Sequence, residues 1–372
     1  MSQTGTIGIV GGGQLGRMLT KAALPLGFKV IVLDPNENCP AKQVGAKQIT
    51  GAWDDKEALQ QLADQSDFIT CETEHFDITA LGSAPHVNPL PQTVGMIQDK
   101  FRQKHFLQQA GIPVADFVEI TDAASAGEAF EEFGSKMLLK SRLGAYDGRG
   151  NAVINSAEDI TRAMKSLGDK LYAEKFVPFK KELAVMVARD LQSNVATYPV
   201  TETIHERNIC VETLTPADIS SGLAQQAEQF AKDVAEHLEG AGVFGIEMFL
   251  TDDDKILVNE IAPRVHNSGH YTIEACETSQ FEQHIRAVTG MELGPTDLKV
   301  PAAVMINILG ERDGPTTVKG LEEAEAIPDT AVHLYGKSPT KIDRKMGHIT
   351  ATGQTLEEAR ERAGQARKLI DV

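Results

Sequence analysis

The segment from Gly245 to His270 reads GIEMFLTDDDKILVNEIAPRVHNSGH, and its pattern decides much of the fold. Two short apolar runs, Ile246 to Leu250 and Ile256 to Ile261, flank the turn-rich stretch Thr251 to Lys255. Apolar runs of this length on either side of a polar turn predict a β-hairpin.

The register of this hairpin brings two carboxylates together. If Thr251 pairs with Ile256, Glu247 lies directly opposite Glu260 on the same face, with the two Cβ atoms about 5 Å apart. Opposed carboxylates repel each other unless a cation lies between them. Mg²⁺ is the natural candidate because it binds carboxylate oxygens together with substrate phosphates, and Asn259 offers a neutral oxygen beside the pair.

Polar residues crowd the exit from the second strand. Arg264, His266, Asn267, Ser268 and His270 follow within a few positions, a density that an ordinary strand exit does not need. A surface hairpin with solvated acids is the alternative interpretation. The paired carboxylates and the polar run together favour a functional site.

Length and charge limit the class of protein. A chain of 372 residues exceeds one usual core, so we expect two or three domains. The 36 basic and 53 acidic residues give a net charge of −17, which argues against nucleic-acid and anionic-membrane partners. A local basic cluster is more informative against this acidic background.

The cysteines and the apolar runs indicate the cellular setting. Cys39, Cys71, Cys210 and Cys276 are scattered and form no CxxC pair, so we expect reduced thiols rather than a zinc site or a disulfide framework. No apolar run approaches the length of a membrane span, and no signal-peptide pattern precedes the first strand. We therefore expect a soluble, cytoplasmic protein.

The first hundred residues alternate strand and helix patterns. Strands are expected at Thr6 to Val10, Lys29 to Asp34 and Phe68 to Cys71, and helices at Gln14 to Leu26 and Glu57 to Ala63. Such alternation predicts a parallel α/β layer.

The pattern changes after this layer. A helix is expected from Thr93 to Gln109, and Val114 to Val177 mixes helix and strand patterns around the glycine-rich run Gly144 to Gly150. Further expected elements are antiparallel strands over Glu182 to Val200, a long helix over Ala217 to Glu239, a strand over Ala302 to Leu309 and a charged helix over Thr355 to Ile370.

A glycine motif near the start favours a different function when it is considered alone. Gly11 to Gly16 satisfies G-x-G-x-x-G between the first strand and the first helix, and Asp34 ends the next strand. An NAD-dependent dehydrogenase is therefore one alternative. The glycines, however, only let the backbone approach a helix N-terminus that attracts anions, and any phosphate fits there. A dehydrogenase would also leave Glu247 and Glu260 unused.

Two further segments suit a nucleotide. Lys140 ends an apolar strand just before the run Gly144 to Gly150, whose exposed amides can fold over phosphates, although a solvated turn is the alternative. The strand from Ala173 runs into Pro178, where backbone groups can contact an adenine edge and Glu182 can hold a ribose.

Four strings in order carry a resemblance to a known family: GGGQLGRML from Gly11, YDGRG from Tyr146, NEIAPRVHNSGH from Asn259 and RKMGH from Arg344. With Lys100 before a helix and Lys140 on a strand, they resemble the ATP-grasp superfamily and, within it, the N5-carboxyaminoimidazole ribonucleotide synthetases. The resemblance extends from about residue 8 to about residue 350.

The resemblance implies a mixed α/β and α+β architecture in three parts. A Rossmann-like pre-ATP-grasp domain with a parallel sheet would cover residues 1–92. An ATP-grasp domain would cover residues 93–294, with a flap subdomain at about 112–177, and a small C-terminal domain would cover residues 295–372.

The resemblance also implies the ligands of ATP and of the metal. Mg²⁺, or Mn²⁺ in its place, would lie on Glu247 and Glu260, in agreement with the hairpin argument. The ATP contacts would be Lys100, Lys140, Ala145, Tyr146, Asp147, Gly148, Arg149, Gly150, Asn151, Glu174, Lys175, Phe176, Val177, Glu182, His205, Asn259 and Glu260.

A second implied set would hold the other substrate. The ribonucleotide phosphate would meet Lys337, Arg344 and Lys345, helped by the turn Gly13-Gln14-Leu15, and Glu72 or Glu74 would face the aminoimidazole or the ribose. The residues around the reacting centre would be Tyr146, Asp147, Arg264 and His266, with Lys140, Asp147, Arg264 and His266 as the catalytic groups.

The implied reaction joins bicarbonate to 5-aminoimidazole ribonucleotide at the expense of ATP, through carboxyphosphate, in purine biosynthesis, and the resemblance suggests a homodimer. Ala145 stands where the family usually has a second glycine, and Lys341-Ile342-Asp343 replaces the usual Arg-Pro-Gly. Two competing hypotheses stay open beside the dehydrogenase: an ATP-grasp ligase with a different acceptor, and a catalytically silent nucleotide-binding scaffold.

Overall fold

The computed structural model describes residues 4–81, 84, 86–144 and 150–372. Within these ranges the strands form three sheets, of four, nine and four strands. Residues 145–149, five of the predicted site positions, lie outside the described part of the chain.

The N-terminal layer is a parallel sheet with helices on both faces. Its elements are β1 (Thr6–Val10), α1 (Gln14–Ala23), β2 (Lys29–Asp34), β3 (Lys47–Thr50), α2 (Lys56–Asp64) and β4 (Phe68–Cys71), with short 3₁₀ turns at Lys42–Val44 and Ile78–Leu81. The strand order is β3-β2-β1-β4, and every pair is parallel. Ile9 packs with Leu19 of α1 on one face, and Leu33 packs with Leu59 of α2 on the other. Burial on both faces explains the nearly continuous apolar strands, and the predicted α/β alternation is confirmed.

A small antiparallel sheet forms the next unit. Its elements are α3 (Pro91–Gln98), α4 (Lys100–Gln109), β5 (Phe117–Ile120), α5 (Ala123–Glu132), β6 (Met137–Ser141), β7 (Asn151–Ile154), α6 (Ala157–Leu167) and β8 (Leu171–Lys175). The strand order is β5-β8-β6-β7. One face of this sheet packs on α5 and α6 through residues such as Leu139 and Ala163, which leaves the other face for a ligand.

The single helix expected from Thr93 to Gln109 is wrong, because Asp99 divides it. Asp99 has an extended backbone, with φ −88° and ψ 101°. Its carboxylate accepts the N–H groups of Phe101 and Arg102, so it caps α4. Aspartate at this position favours the start of a new helix over continuation of the old one.

A nine-stranded sheet dominates the rest of the chain. Its elements are β9 (Phe179–Arg189), β10 (Val195–Thr197), β11 (Thr201–Glu206), β12 (Ile209–Thr215), α7 (Ser221–His237), β13 (Gly242–Thr251), β14 (Ile256–Ala262), a 3₁₀ turn (Asn267–Gly269), α8 (Thr272–Ala275), α9 (Gln280–Thr289), β15 (Ala302–Leu309), α10 (Leu321–Glu325), β16 (Thr330–Leu334), β17 (Lys345–Gly353) and α11 (Leu356–Leu369). The strand order is β14-β13-β9-β11-β12-β15-β17-β16, and β10 pairs with β9. The C-terminal strands thus extend the same sheet that contains the hairpin.

The hairpin pairing of Glu247 with Glu260 is confirmed, but the pairing expected at its tip is wrong. Ile256 pairs with Leu250, not with Thr251. The N–H of Thr251 donates to the carbonyl of Lys255 over 2.9 Å, so the loop is one residue shorter than expected. A β-bulge at Asn259 inserts one extra residue and restores the opposition of the two glutamates.

The N-terminal layer is fixed to the large sheet by a buried histidine. Val243 of β13 donates its N–H to Nδ1 of His284 over 3.0 Å, so Nε2 of His284 carries the proton and donates to Thr70 of β4 over 2.7 Å. An apolar cluster that contains Ile9, Val243 and Phe281 surrounds this contact. These contacts fix the position of the N-terminal layer relative to the large sheet.

Among the described residues, no helix has both the length and the apolar character needed to cross a membrane.

Candidate active site

A cleft of about 1030 Å³ lies between the N-terminal layer and the large sheet. It brings together nine residues that were predicted to bind the ribonucleotide: Gly13, Gln14, Leu15, Glu72, Arg264, His266, Lys337, Arg344 and Lys345. Glu74 lines an adjoining cavity of about 420 Å³ together with Lys100. Five segments that are distant in sequence therefore converge on one site.

The N-terminus of α1 opens into the cleft, but two of its amides already have an acceptor. The carboxylate of Glu72 accepts the N–H groups of Gly13 and Gly16. Burial raises the pKa of Glu72, while these two amides oppose the rise. The Gly13 amide is therefore not available to a phosphate. Gln14 and Leu15, the first two helical residues, carry amides that a helix itself cannot satisfy, and both line the cleft.

Asp34 does not present its carboxylate to a ribose. One of its oxygens accepts the N–H of Gly12 over 2.9 Å, and the other accepts the backbone and side-chain N–H groups of Asn36. A dinucleotide fold uses the acid at this position for the ribose hydroxyls. The contacts of Asp34 thus disfavour the dehydrogenase alternative.

Arg264 and Glu74 form a forked ion pair beside the cleft. Nε and Nη2 of Arg264 donate to the two oxygens of Glu74 over 2.6 and 3.0 Å. Burial alone would raise the pKa of Glu74, but the charge and hydrogen bonds of Arg264 hold it at about 2. One edge of the guanidinium is occupied, so the expected bidentate grip of Arg264 on bicarbonate is limited to its remaining N–H groups.

His266 connects the cleft to the carboxylate pair. Its Nδ1 lies 2.9 Å from the hydroxyl of Ser268, and its Nε2 lies 3.5 Å from Oε1 of Glu247. Burial, together with the charges of Arg264 and Lys345, lowers the pKa of His266 to about 3. The imidazole is therefore neutral near pH 7 and suits hydrogen bonding better than charge pairing.

The opposed carboxylates suit a hard divalent cation. Burial raises the pKa of Glu247 to about 7, and the negative charges of Glu260 and Glu182 add to this rise. Glu260 also forms an ion pair with Lys100. Over the described ranges no cluster of three or more His, Cys, Asp or Glu side chains has the geometry to hold a metal. Two opposed carboxylates, one of them paired with Lys100, match a Mg²⁺ site that is completed by phosphate oxygens and water.

The ligand-facing side of the small sheet carries a buried ion triad. Glu174, only 2% exposed, accepts Lys104 over 2.9 Å and Lys140 over 2.7 Å, one lysine on each oxygen. Burial opposes ionisation of Glu174, but the two lysines hold its pKa at about 2. Glu174 was predicted to contact ATP directly. Its two carboxylate oxygens bind Lys104 and Lys140, so it orients Lys140, and the contact of Glu174 with ATP stays a prediction.

Lys104 was missed in the sequence, although a signal was present. It follows Lys100 by one helical turn on α4, so the two lysines share a face. Besides Glu174, its ammonium reaches the carbonyl of Val258 over 3.4 Å and so joins the small sheet to the hairpin. Burial lowers its pKa, and Glu174 opposes the decrease.

Apolar and polar groups flank these lysines in a way that suits a nucleotide. Leu138 of β6 pairs with Val153 of β7, which is 47% exposed and lies on the same face as Lys140. On the facing side, Glu182 lies 3.2 Å from Nδ1 of His205, and burial raises the pKa of Glu182 to about 7. Val153 and Leu138 are two further residues that the sequence did not single out.

The other predicted ATP contacts lie at the edges of this region. Lys175 pairs with Asp116 over 3.2 Å, and the ring of Phe176 lies 3.5 Å from the ammonium of Lys136. Asn151 pairs with Lys140 across β7 and β6. The described positions also include Gly150 and Val177, whereas Ala145, Tyr146, Asp147, Gly148 and Arg149 lie outside the described residues.

Comparisons with known proteins match this arrangement. Three family models match in order: a ribonucleotide synthetase preATP-grasp domain over residues 4–98, an ATP-grasp domain over 105–281, and a phosphoribosylaminoimidazole carboxylase C-terminal domain over 303–362. The chain is 41% identical to the N5-carboxyaminoimidazole ribonucleotide synthase of Bacillus subtilis, over 95% of this chain and 92% of that protein. It is 44% identical to the phosphoribosylaminoimidazole carboxylase of Schizosaccharomyces pombe, over 97% of this chain and 67% of that protein.

Solved structures show the same likeness. The N5-carboxyaminoimidazole ribonucleotide synthetase of Thermotoga maritima superposes with a TM-score of 0.89 at 44% identity, covering 99% of both chains. The Aspergillus clavatus enzyme, solved with ADP and 5-aminoimidazole ribonucleotide, superposes with a TM-score of 0.92 at 40% identity, also covering 99% of both chains.

Fold and site together define an ATP-grasp ligase, and the predicted fold is confirmed. Within that class the chain belongs to the N5-carboxyaminoimidazole ribonucleotide synthase family, as the resemblance of its motifs implied.

Proposed function

We propose that this chain uses ATP and Mg²⁺ to carboxylate 5-aminoimidazole ribonucleotide with bicarbonate, through carboxyphosphate, and releases ADP and phosphate. One observation supports this most strongly. His266 lines the cleft together with Lys337, Arg344 and Lys345, and it also lies 3.5 Å from Glu247, the partner of Glu260 in the opposed pair. A phosphate site and a phosphoryl-transfer site thus meet at one imidazole.

Phosphoryl transfer falls to the groups between the two sheets. Glu247 and Glu260 would hold Mg²⁺, which would supply positive charge to the phosphates of ATP during transfer. Lys140, held by Glu174, points a permanent positive charge at the γ-phosphate, since the Glu174 charge raises the pKa of Lys140 despite burial. Leu138 and Val153 provide the apolar wall for the adenine, and Glu182 and His205 receive the ribose.

The carboxyl group is handled at the junction of the two sites. The remaining N–H groups of Arg264 hold bicarbonate and then carboxyphosphate as an anion, while Glu74 fixes the orientation of the guanidinium. Nδ1 of neutral His266 accepts the N–H of Ser268, so Nε2 carries the proton and would donate one hydrogen bond to the same anion. Asp147 and Tyr146, which lie outside the described residues, keep the roles implied by the family: they approach the amine that attacks the carboxyl carbon.

The ribonucleotide lies in the large cleft. Its phosphate meets Lys337, Arg344 and Lys345 and the amides of Gln14 and Leu15 at the N-terminus of α1. Glu72 acts indirectly, because it holds that helix end in place.

We further propose that the protein is a cytoplasmic homodimer with no nucleic-acid partner, and that Mn²⁺ can replace Mg²⁺. The domain boundaries at about residues 92 and 294 stay a prediction.

The test is phosphate release from ATP and Mg²⁺ with bicarbonate, measured with and without 5-aminoimidazole ribonucleotide. Strong stimulation by the ribonucleotide is expected. ATP turnover that ignores the ribonucleotide would point to another acceptor within the ATP-grasp class. No turnover at all would favour a nucleotide-binding protein without catalytic activity.

A further inference from the structure

A second wall of the cleft carries an arginine to which neither the motifs nor the proposed function gives a role. Arg207 and Asn208 form the two-residue turn between β11 and β12, with φ values of 50° and 63°. Two left-handed residues in such a loop are typical of a type I′ turn. The turn lines the cleft opposite the loop Lys341 to Arg344.

An ion pair joins this turn to the loop Lys341 to Arg344. Nη2 of Arg207 donates to Oδ1 of Asp343 over 2.6 Å. Asp343 directly precedes Arg344 and Lys345 in the sequence. The guanidinium of Arg207 is therefore bonded to the residue next to two of the proposed phosphate-binding cations. It thereby adds a cation to a cleft that is also lined by Lys337, Arg344 and Lys345, in a chain of net charge −17.

The loop itself does not depend on this ion pair. Asp343 donates its N–H to the carbonyl of Gly310 over 2.9 Å, and Gly310 donates its own N–H to the carbonyl of Arg344 over 2.9 Å. The N–H of Ile342 donates to Asp313 over 3.1 Å. These bonds fix the loop backbone, and an ion pair between partly exposed side chains adds little stability. The ion pair therefore matters more for the placement of Arg207 than for the loop.

We propose that Arg207 is a further binding residue for the ribonucleotide phosphate, held over the cleft by Asp343. A guanidinium has five N–H donors, and the bond to Asp343 uses one of them, so a phosphate can be gripped by the others. Asp343 is the positioning residue, because its bond limits the rotamers of the Arg207 side chain, which is 66% exposed. This inference rests on the proposed function, because it assumes that the cleft takes a phosphorylated ligand.

The main experiment compares a phosphorylated substrate with the same molecule lacking its phosphate. Arg207→Ala is expected to raise KM for 5-aminoimidazole ribonucleotide about tenfold while KM for ATP stays unchanged. With 5-aminoimidazole ribonucleoside as the acceptor, the same variant is expected to match the wild type. Equal losses with both acceptors would show a structural role for Arg207, and no loss with either would refute the proposal.

The role of Asp343 is tested by a double-mutant cycle. Asp343→Asn is expected to raise KM for the ribonucleotide less than Arg207→Ala does, and to add nothing in the Arg207→Ala background. Additive effects would refute the positioning role. Arg162→Ala is the matched control, because Arg162 pairs with Asp159 on α6, is 81% exposed and carries the same charge away from the cleft.

Binding of ribose 5-phosphate by calorimetry separates this inference from the proposed function. The wild type is expected to bind it about tenfold more tightly than Arg207→Ala, whether or not the ribonucleotide stimulates ATP turnover. Failure of turnover with this difference intact would refute the proposed function alone. Equal binding by the two proteins would refute the role of Arg207 alone.

Discussion

At the scale of single residues, the most informative side chains are the buried carboxylates, because their neighbours shift their pKa values in opposite directions. Glu174 and Glu74 have pKa values near 2 because lysines or an arginine overcome the effect of burial. Glu247 has a pKa of about 7 because burial raises it and the negative charges of Glu260 and Glu182 add to the rise. This contrast separates Glu174 and Glu74, which position lysine and arginine side chains, from the opposed pair Glu247 and Glu260, which suits a bound Mg²⁺.

Glu260→Gln tests that distinction at the metal site. Loss of one negative charge is expected to weaken Mg²⁺ binding and to reduce phosphate release by about a hundredfold or more, because the cation neutralises the transferring group. A Mg²⁺ titration of the initial rate measures the effect. Near-wild-type rates at the same Mg²⁺ concentration would remove Glu260 from the metal site. Glu128→Gln, an exposed acid on α5, is the matched control and should change neither rate nor Mg²⁺ dependence.

Lys104→Met tests the ion triad behind Lys140. Removal of one buried partner leaves Glu174 with a single lysine, and broken buried ion pairs typically cost about 3–5 kcal/mol. We expect the free energy of unfolding, measured in urea, to fall by about this amount. Lys232→Met removes an exposed lysine that pairs loosely with Glu236, and should change the free energy by less than about 1 kcal/mol. Equal losses in the free energy of unfolding for the two variants would show that the buried triad stabilises the fold no more than an exposed ion pair does.

Some of the residue-scale contacts were beyond sequence reasoning for a physical reason. Arg264 and Glu74 are 190 positions apart, so no local pattern shows that the guanidinium fork is already occupied. Lys104, by contrast, repeats Lys100 one helical turn later and could have been inferred. Side chains within one element follow from spacing, whereas contacts between distant segments depend on how the layers pack.

At the scale of elements, the hairpin β13–β14 shows what a sequence pattern can and cannot specify. The opposition of Glu247 and Glu260 was predicted correctly, although the pairing at the hairpin tip from which it was inferred was wrong by one residue. The loop length and the bulge at Asn259 were not predicted. The loop is one residue shorter than expected and the bulge adds one residue, so the two errors cancel at the glutamates. Apolar runs locate strands, but the closing hydrogen bond at Thr251 decides where pairing begins.

The contact between β4, β13 and α9 gives a pH dependence of stability. Burial lowers the pKa of His284 to about 4 from its ordinary value near 6.5. Below pH 6.5 the unfolded chain takes up a proton that the folded chain refuses, so stability is complete above pH 6.5 and falls as the pH approaches 4. One such group accounts for about 3 kcal/mol over that interval.

Urea unfolding of the wild type and of His284→Gln at several pH values between 7 and 4 measures this contribution. The glutamine keeps a polar group near Thr70 but cannot titrate, so the variant should be less stable at pH 7 and should lose about 3 kcal/mol less between pH 6.5 and 4. Parallel stability curves for the two proteins would show that His284 is not the group that titrates. His237→Gln, on the exposed end of α7, should leave the wild-type curve unchanged.

At the scale of the whole molecule, residues of the N-terminal layer and of the large sheet line one cleft. The amides of α1 belong to the parallel layer, Lys345 to β17 near one edge of the large sheet, Lys337 to the connection between β16 and β17, and Glu247 to β13 near the other edge. The motifs predicted most of these groups but not the turn at Arg207. That turn belongs to no motif, and only the pairing order of β11, β12 and β15 brings it to the cleft.

Because the two substrates are assigned to different sheets, we predict that one mutation can change KM for one substrate without changing KM for the other. Arg344 lines the cleft on the ribonucleotide side, and burial lowers its pKa without removing its charge at neutral pH. Arg344→Ala is expected to raise KM for the ribonucleotide by about tenfold or more and to leave KM for ATP nearly unchanged, because Lys140 and Glu174 lie in another sheet. Initial rates over a grid of both substrate concentrations give the two constants. A parallel rise in both would mean that loss of Arg344 disturbs the packing of the layers, since a local effect would stay within the large sheet. A rise for ATP alone would place the phosphate site elsewhere and would overturn the assignment of the whole cleft.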